Sequence, residues 1–271
     1  MLYPRLNARF PRKRAFITGA GSGLGLELAR ALAGDGWALG LFDRNLERLT
    51  EVEGTLSAAG IPVLAYPGDV TQPDELTVAV NSFAATHNGL DVMINNAGVA
   101  CSGTLMEVPL EDWRWIIDIN LMGVVHGCRA AVPHLERNNA GLLINVASAA
   151  AFVSAPGMAP YNTTKAAVLS LSETLAGELQ ASGIQVSVVL PTYFKTALLE
   201  SARGPDEARV RAAGYMENSG YLVAEVARDV LTFAGAGKLY IPLPKSTRSL
   251  WRKKRWMPES FLKHVAKVRG R

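Results

Sequence analysis

The chain has 271 residues, 49% hydrophobic and 19% charged, with 25 Gly, 14 Pro and two Cys. That is enough for one large core, and it excludes a collagen-like chain, a disulfide-stapled miniprotein and a fully disordered one. The net charge of +4 is unevenly spread: residues 1–14 hold five basic side chains, residues 245–271 ten against Glu259 alone, and the body between them 13 basic against 23 acidic. The body therefore carries no electrostatic footprint for nucleic acid.

From residue 14 onward short apolar runs alternate with longer amphipathic ones. Residues 14–18 read as a strand, followed by a Gly-rich turn and a helix over 24–33. A second strand spans 37–42. The helix over 46–58 has Leu46, Leu49, Val52 and Leu56 at helical spacing. Residues 62–66 form a third strand, 74–86 a helix with Leu76, Val80 and Phe83 in its apolar stripe, and 90–94 a fourth strand. The second half repeats the pattern, with a long helix over 110–135, a strand at 142–146 and a helix over 161–182. The strand at 184–190 is dominated by β-branched residues. A polar stretch at about 192–220 interrupts the alternation before a helix over 223–234 and a last short strand at 238–242. Such alternation implies a parallel sheet covered by helices on both faces through right-handed crossovers, a doubly wound α/β fold. One domain is expected over 13–242, with a basic N-terminal arm at 1–12 and a basic tail at 243–271. Neither internal repeats nor low-complexity tracts break it.

Cys101 and Cys128 make no disulfide framework, so both are expected as small buried side chains in a reducing compartment. The apolar run 141–153 is too short for a bilayer core of about 30 Å, and the N-terminus lacks a secretory h-region. A cytoplasmic protein is the expectation. The four His are scattered without metal-like spacing, and no Ser-His-Asp order or H-E-x-x-H motif is present. No metal is expected.

Ligands of doubly wound sheets sit outside the carboxyl ends of the strands, and four candidate sites fall there. The first is Thr18-Gly19-Ala20-Gly21-Ser22-Gly23-Leu24-Gly25, between the first strand and the first helix. Glycines let a backbone turn tightly and approach a pyrophosphate facing the helix N-terminus, although a plain Gly-rich turn has the same composition. Asp43 ends the second strand, 24 residues after Gly19, where a carboxylate can bind an adenosine ribose. It would repel a 2′-phosphate by about 1–4 kcal/mol, which favours NAD over NADP. Arg44 beside it could instead clamp that phosphate. Asp69 with Val70, after the third strand, and Asn96-Ala97-Gly98, after the fourth, are candidates for adenine and backbone contacts, or simply turn residues.

These residues carry a resemblance. TGxxxGxG at 18–25, NNAG at 95–98, Ser148 and Tyr161-Asn162-Thr163-Thr164-Lys165 as YxxxK resemble the short-chain dehydrogenase/reductase family in order and spacing over about 13–242. The family implies a Rossmann-like sheet of about seven strands, hydride exchange between a nicotinamide cofactor and an alcohol or ketone, and a homodimer or homotetramer built through the 110–135 and 161–182 helices. Within it Asn120 matches the Asn used with Lys and water as a proton relay, and Thr196 the Thr that bonds the carboxamide. Pro191 is followed by Thr192 where the family commonly has Gly. A Cβ dislikes the positive φ that Gly permits, so the loop is expected to run differently.

The chemistry of these residues stands beside the resemblance. Removing hydride from an alcohol leaves a proton that needs a base. Tyr161 has too high an ordinary pKa, about 10, unless helped. Lys165, one helical turn on, would stabilise tyrosinate and lower that pKa, although a Lys snorkelling from an amphipathic helix has the same spacing. Ser148, at a strand end, is placed to hydrogen-bond the substrate oxygen. The expected activity is NAD-dependent oxidation of a mostly apolar secondary alcohol, or reduction of its ketone. The apolarity is read from residues 149–153, Met158, Tyr193 and Phe194. An NADP-dependent carbonyl reductase and a non-catalytic cofactor-binding regulator are the alternatives.

In the tail, Trp251 and Trp256 flank Arg252-Lys253-Lys254-Arg255, and Pro258 opens a short helix with Phe261, Leu262, Val265 and Val268 on one stripe. Such a stripe either packs on the body or a partner subunit, or lies at a membrane surface as peripheral contact.

Overall fold

Residues 2–269 are described in the computed structural model; residues 1, 270 and 271, the outer ends of the expected arm and tail, lie outside the described residues. The apolar runs become β1 (Arg14–Thr18), β2 (Ala38–Asp43), β3 (Val63–Pro67), β4 (Val92–Asn95), β5 (Gly141–Val146), β6 (Ile184–Pro191) and β7 (Tyr240–Leu243). They form one seven-stranded sheet in the order β3-β2-β1-β4-β5-β6-β7, every pair parallel. This is the doubly wound Rossmann-like fold the sequence implies.

Side chains alternate across each strand, so the two faces feed two cores. In β1, Phe16 enters the core shared with Leu76 and Val80 of α4 (Pro73–Thr86) and Val168 of α8 (Ala159–Glu178). Its neighbours Ala15 and Ile17 enter the opposite core, with Leu28 of α2 (Gly23–Ala33), Leu49 of α3 (Leu46–Ala58) and Val230 of α10 (Val223–Gly235). The chain leaves β1 and β4 in opposite directions along the sheet, and the crevice between their carboxyl ends positions the site.

The structure departs from the sequence expectation in five places. The basic arm is not a free appendage. It forms α1 (Pro4–Arg9), with Tyr3, Leu6 and Phe10 buried in the second core. The carboxylate of Asp35 accepts from the backbone N–H of Leu2 and Tyr3 and from Asn7 Nδ2, while Asn7 Oδ1 accepts from Trp37 Nε1 at 2.8 Å. The single helix expected over 110–135 is three pieces: α5 (Leu110–Ile117), a π-helical turn (Asp118–Met122) and α6 (Gly123–Arg137). The helix α8 starts two residues earlier than expected and ends at Glu178, before a turn that uses Gly183 at φ +70°. The polar stretch contains a 3₁₀ turn (Ala197–Leu199) and α9 (Asp206–Glu217). The tail holds two helices, where only the one at Pro258 was expected: α11 (Thr247–Trp256) and α12 (Pro258–Arg269).

Cys101 and Cys128 are free and buried. Among the described residues no helix is long and apolar enough to cross a membrane, and no group of three metal-ligating side chains forms.

Candidate active site

The carboxyl ends of β1 to β6 surround one cavity of about 680 Å³. Of the residues expected at the site, all but Gly21, Gly25 and Asn120 line it. Those three support the lining from behind.

The glycine loop is fixed by close approach. Gly19 has φ +65°, and a Cβ there would stand 2.8 Å from Ala97 Cα. A Cβ on Gly25 would meet Gly19 O at 2.1 Å, so no larger residue fits. This contact brings the start of α2 against the loop and turns its first N–H groups toward the cavity, a cradle suited to a pyrophosphate. Gly21 N donates to Asp43 Oδ2 at 2.8 Å, and Asn45 N donates to Asp43 Oδ1 at 2.9 Å. The carboxylate that ends β2 is thereby fixed beside the glycine loop at one end of the cavity.

Around that end the structure adds a residue the sequence reading missed. Arg48 lines the cavity beside exposed Arg44, and its Nη2 donates to Glu200 Oε2 at 2.7 Å, which raises the guanidinium pKa further. The cue was available: Arg48 stands three residues after Asn45, the N-cap of α3. Asp69 caps its own turn through Thr71 N, and the carbonyl of the buried Val70 lies 2.9 Å from His126 Nδ1.

Asn96 lines the cavity and also holds two loops together. Its Nδ2 donates to Thr18 O and Gly19 O, at 3.0 and 3.1 Å, and Thr18 Oγ1 accepts from the N–H of Asn96 and Ala97. Its amide NH2 ties the β4 loop to the glycine loop.

At the other end Ser148, after β5, meets Tyr161 and Lys165 of α8. Ser148 Oγ accepts from Ala150 N at 3.1 Å and donates to Pro191 O at 3.4 Å, and its hydroxyl lowers the pKa of the Tyr161 phenol. Lys165 Nζ donates to Val146 O at 2.9 Å and lies 5.7 Å from the Tyr161 ring centroid. Both side chains are buried, Tyr161 8% and Lys165 4% exposed. Burial pushes the phenol up to about 12, against the opposing Ser148 hydrogen bond, and pushes the ammonium down to about 8. The shift runs opposite to the expected lowering, because desolvation of the phenolate outweighs the Ser148 hydrogen bond.

Asn120 sits in the π-helical turn, wholly buried. Its Oδ1 accepts from Val99 N at 2.8 Å, and its Nδ2 donates to Val99 O and Thr164 Oγ1. Asn120 Oδ1 and Lys165 Nζ would stand 3.1 and 3.3 Å from a Cβ on Gly98, so a larger residue there would crowd the point where the three converge. A π bulge at a functional site re-aims one side chain without ending the helix.

Thr192 does not distort its loop. It is not among the residues with positive φ, and its N–H donates to Leu243 O at 2.8 Å, extending the pairing of β6 with β7. Pro191 O accepts from Ala149 N, and Thr196 Oγ1 would stand 2.5 Å from a Cβ on Gly23. This loop closes over the start of α2.

The far wall is apolar. Ala149, Ala150, Val153, Met158, Tyr193 and Phe194 line it as read from the sequence, whereas Ala151 and Phe152 turn into the core. Met216 of α9 and Leu250 of α11 complete it and were not foreseen. Tyr193 stacks on Tyr215 at 5.2 Å, which fastens α9 over the cavity. Trp251 packs edge-on against Phe152 of α7 (Ala150–Val153) at 4.9 Å, which fixes the helix that presents Leu250.

Comparison with known proteins gives the class. The family model for short chain dehydrogenases matches residues 13–207. The chain is 35% identical over 201 residues to the D-beta-hydroxybutyrate dehydrogenase of Rhizobium meliloti, covering 73% of this chain and 78% of that one. Among solved structures, a short-chain dehydrogenase/reductase from Burkholderia phymatum in complex with NAD superposes with a TM-score of 0.86 at 29% identity, over 91% of this chain and 94% of that one. An alcohol dehydrogenase from the archaeon Thermococcus sibiricus, complexed with 5-hydroxy-NADP, superposes with a TM-score of 0.73 at 26% identity, over 85% and 95%. The chain belongs to the short-chain dehydrogenase family of oxidoreductases.

Proposed function

We propose that this protein is an NAD-dependent dehydrogenase that interconverts a mostly apolar secondary alcohol and its ketone. The observation that carries the reading is a single cavity with the glycine cradle and Asp43 at one end and Ser148, Tyr161 and Lys165 at the other. NAD, when bound, supplies the hydride acceptor, and its reduced form the donor.

The cradle fits such a dinucleotide, since Gly19 and Gly25 leave no room for a side chain and the N–H groups opening α2 favour a pyrophosphate. Asp43 would bind the adenosine ribose and oppose a 2′-phosphate. Pro191 and Thr196 would border the nicotinamide end. Ser148 would hold the substrate oxygen, and Tyr161 Oη would take the hydroxyl proton in oxidation or return it in reduction. Lys165, held by Val146 O, would offset charge developing on the phenol. The Asn120 amide is engaged by Val99 and Thr164, so its part is to hold the turn beside Lys165, leaving any relay to backbone groups there.

A second reading, NADP-dependent carbonyl reduction, draws on Arg44 and Arg48 at the adenosine end. The Arg48 guanidinium is already engaged by Glu200, which weakens that case. A regulator without turnover would have no chemical need for the Ser148, Tyr161 and Lys165 set.

We also propose a cytoplasmic homodimer or homotetramer assembled through α5, α6 and α8, with the free cysteines suited to a reducing compartment. The test is Tyr161→Phe, assayed with NAD against a panel of steroid, retinoid, fatty and sugar alcohols. Turnover is expected to fall by about 10²–10⁴-fold with NAD affinity retained. Unchanged turnover on a good substrate would remove Tyr161 from the chemistry.

A further inference from the structure

The C-terminal helical pair has two contrasting sides. On the inner side, Thr247 is buried, Leu250 lines the cavity, and Trp251 lies against both Phe152 and Tyr240, at 4.9 and 5.3 Å. Arg248 covers the Phe233 ring at 4.9 Å. These contacts anchor α11 on the body. At its far end the chain turns at Met257, whose N–H donates to Lys253 O, and Phe261 of α12 packs back inside at 7% exposure.

The outer side is the turn itself. Trp256 is 83% exposed and Met257 56% exposed. Leu262 and Val268 are exposed on the helix that follows. Arg252, Lys253, Lys263 and Lys267 are exposed around them, and Glu259 is the one acidic residue in 245–271. An exposed indole next to an exposed methionine leaves apolar surface in water, and exposed cations on the same two helices disfavour burying it in an ordinary protein core. An indole at the boundary of water and hydrocarbon, with cations reaching the headgroups, resolves both demands.

We propose that the turn at Trp256 and Met257 is a docking point for an anionic phospholipid surface. The charge is complementary, and each cation held near such a surface contributes about fivefold in binding. The apolar tip stands at a turn between two helices, so its side chains can enter the headgroup layer without unfolding α11 or α12. Leu250 lies six residues from Trp256 on the same helix, about 9 Å along its axis, so docking would bring the apolar wall of the cavity close to the membrane. The docking itself does not depend on the reading of the active site.

The experiment is co-sedimentation of the full chain with vesicles of phosphatidylcholine alone or mixed with phosphatidylglycerol. Wild type is expected to bind the anionic vesicles selectively, and binding should fall as salt rises. The Arg252→Gln, Lys253→Gln, Lys263→Gln triple variant should bind about 100-fold more weakly. The Trp256→Ser, Met257→Ser double variant should lose binding while keeping the wild-type melting temperature and elution volume. Equal binding to neutral vesicles, or anionic binding unchanged in the double variant, would overturn the proposal. So would a double variant that dissociates an oligomer when wild type ignores vesicles, because the turn is then a subunit contact.

Discussion

In the proposed reaction, burial of Tyr161 and Lys165 sets which proton state of each is populated. With the phenol pushed up to about 12, Tyr161 is protonated at neutral pH and ready to give a proton to a carbonyl. Oxidation needs the opposite state, whose population rises about tenfold per pH unit below that value. Between pH 7 and 10, alcohol oxidation is therefore expected to accelerate and then level off above about pH 8, where Lys165 loses the charge that supports the phenolate, while ketone reduction stays flat. Initial rates in both directions across that range check this; an oxidation rate that peaks near neutrality would mean that another group takes the proton. The identity of these residues was legible because YxxxK and the preceding Ser148 are local patterns. The sign of the pKa shift was not, because it depends on how deeply the elements around α8 bury both groups. Asn96 teaches the same lesson, since its amide points back to Thr18 and Gly19 only once β1 and β4 are neighbours.

At the scale of elements, strands and regular helices were read within a few residues, because two-residue and 3.6-residue periods are written directly into the apolar positions. The breaks were harder. The stripe runs on through residues 110–135, so nothing local announced the π-helical turn that seats Asn120 against Val99. The helix α9 was hidden because residues 206–217 have almost no amphipathic contrast. The helix α11 was hidden by its cations: five of its ten residues are Lys or Arg, and its inner face rests on Leu250 and Trp251. That face makes α11 a part of the cavity wall, the proposed substrate pocket, rather than an appendage. Leu250→Ala should lower kcat/KM by about tenfold for a long apolar alcohol and leave a short one unaffected, since each lost methylene contact is worth about 0.8 kcal/mol. Equal effects on both substrates would show that Leu250 shapes the fold and not the fit.

The whole molecule joins an acidic body to two basic ends, and the ends are structural partners of the body. Tyr3, Leu6 and Phe10 complete the core beside α10, and α11 closes the cavity. Because the cradle, Asp43 and the catalytic end are drawn from strands across the sheet, occupancy of the cavity should stabilise the chain as a unit. A ligand at 100 times its Kd adds about 2.7 kcal/mol to the folded state. For a domain of this size that corresponds to a rise of about 5–10 °C in Tm. NAD is expected to produce that rise, and NADP at the same concentration a smaller one, because the Asp43 carboxylate, fixed by Gly21 N and Asn45 N, cannot swing away from a 2′-phosphate. Asp43→Ser should narrow the difference or reverse it, leaving Arg44 and Arg48 to receive the phosphate. Thermal melts of wild type and variant with each dinucleotide measure this without needing the substrate. A wild type shifted more by NADP would mean that the two arginines outweigh the carboxylate, with Arg48 exchanging Glu200 for the phosphate.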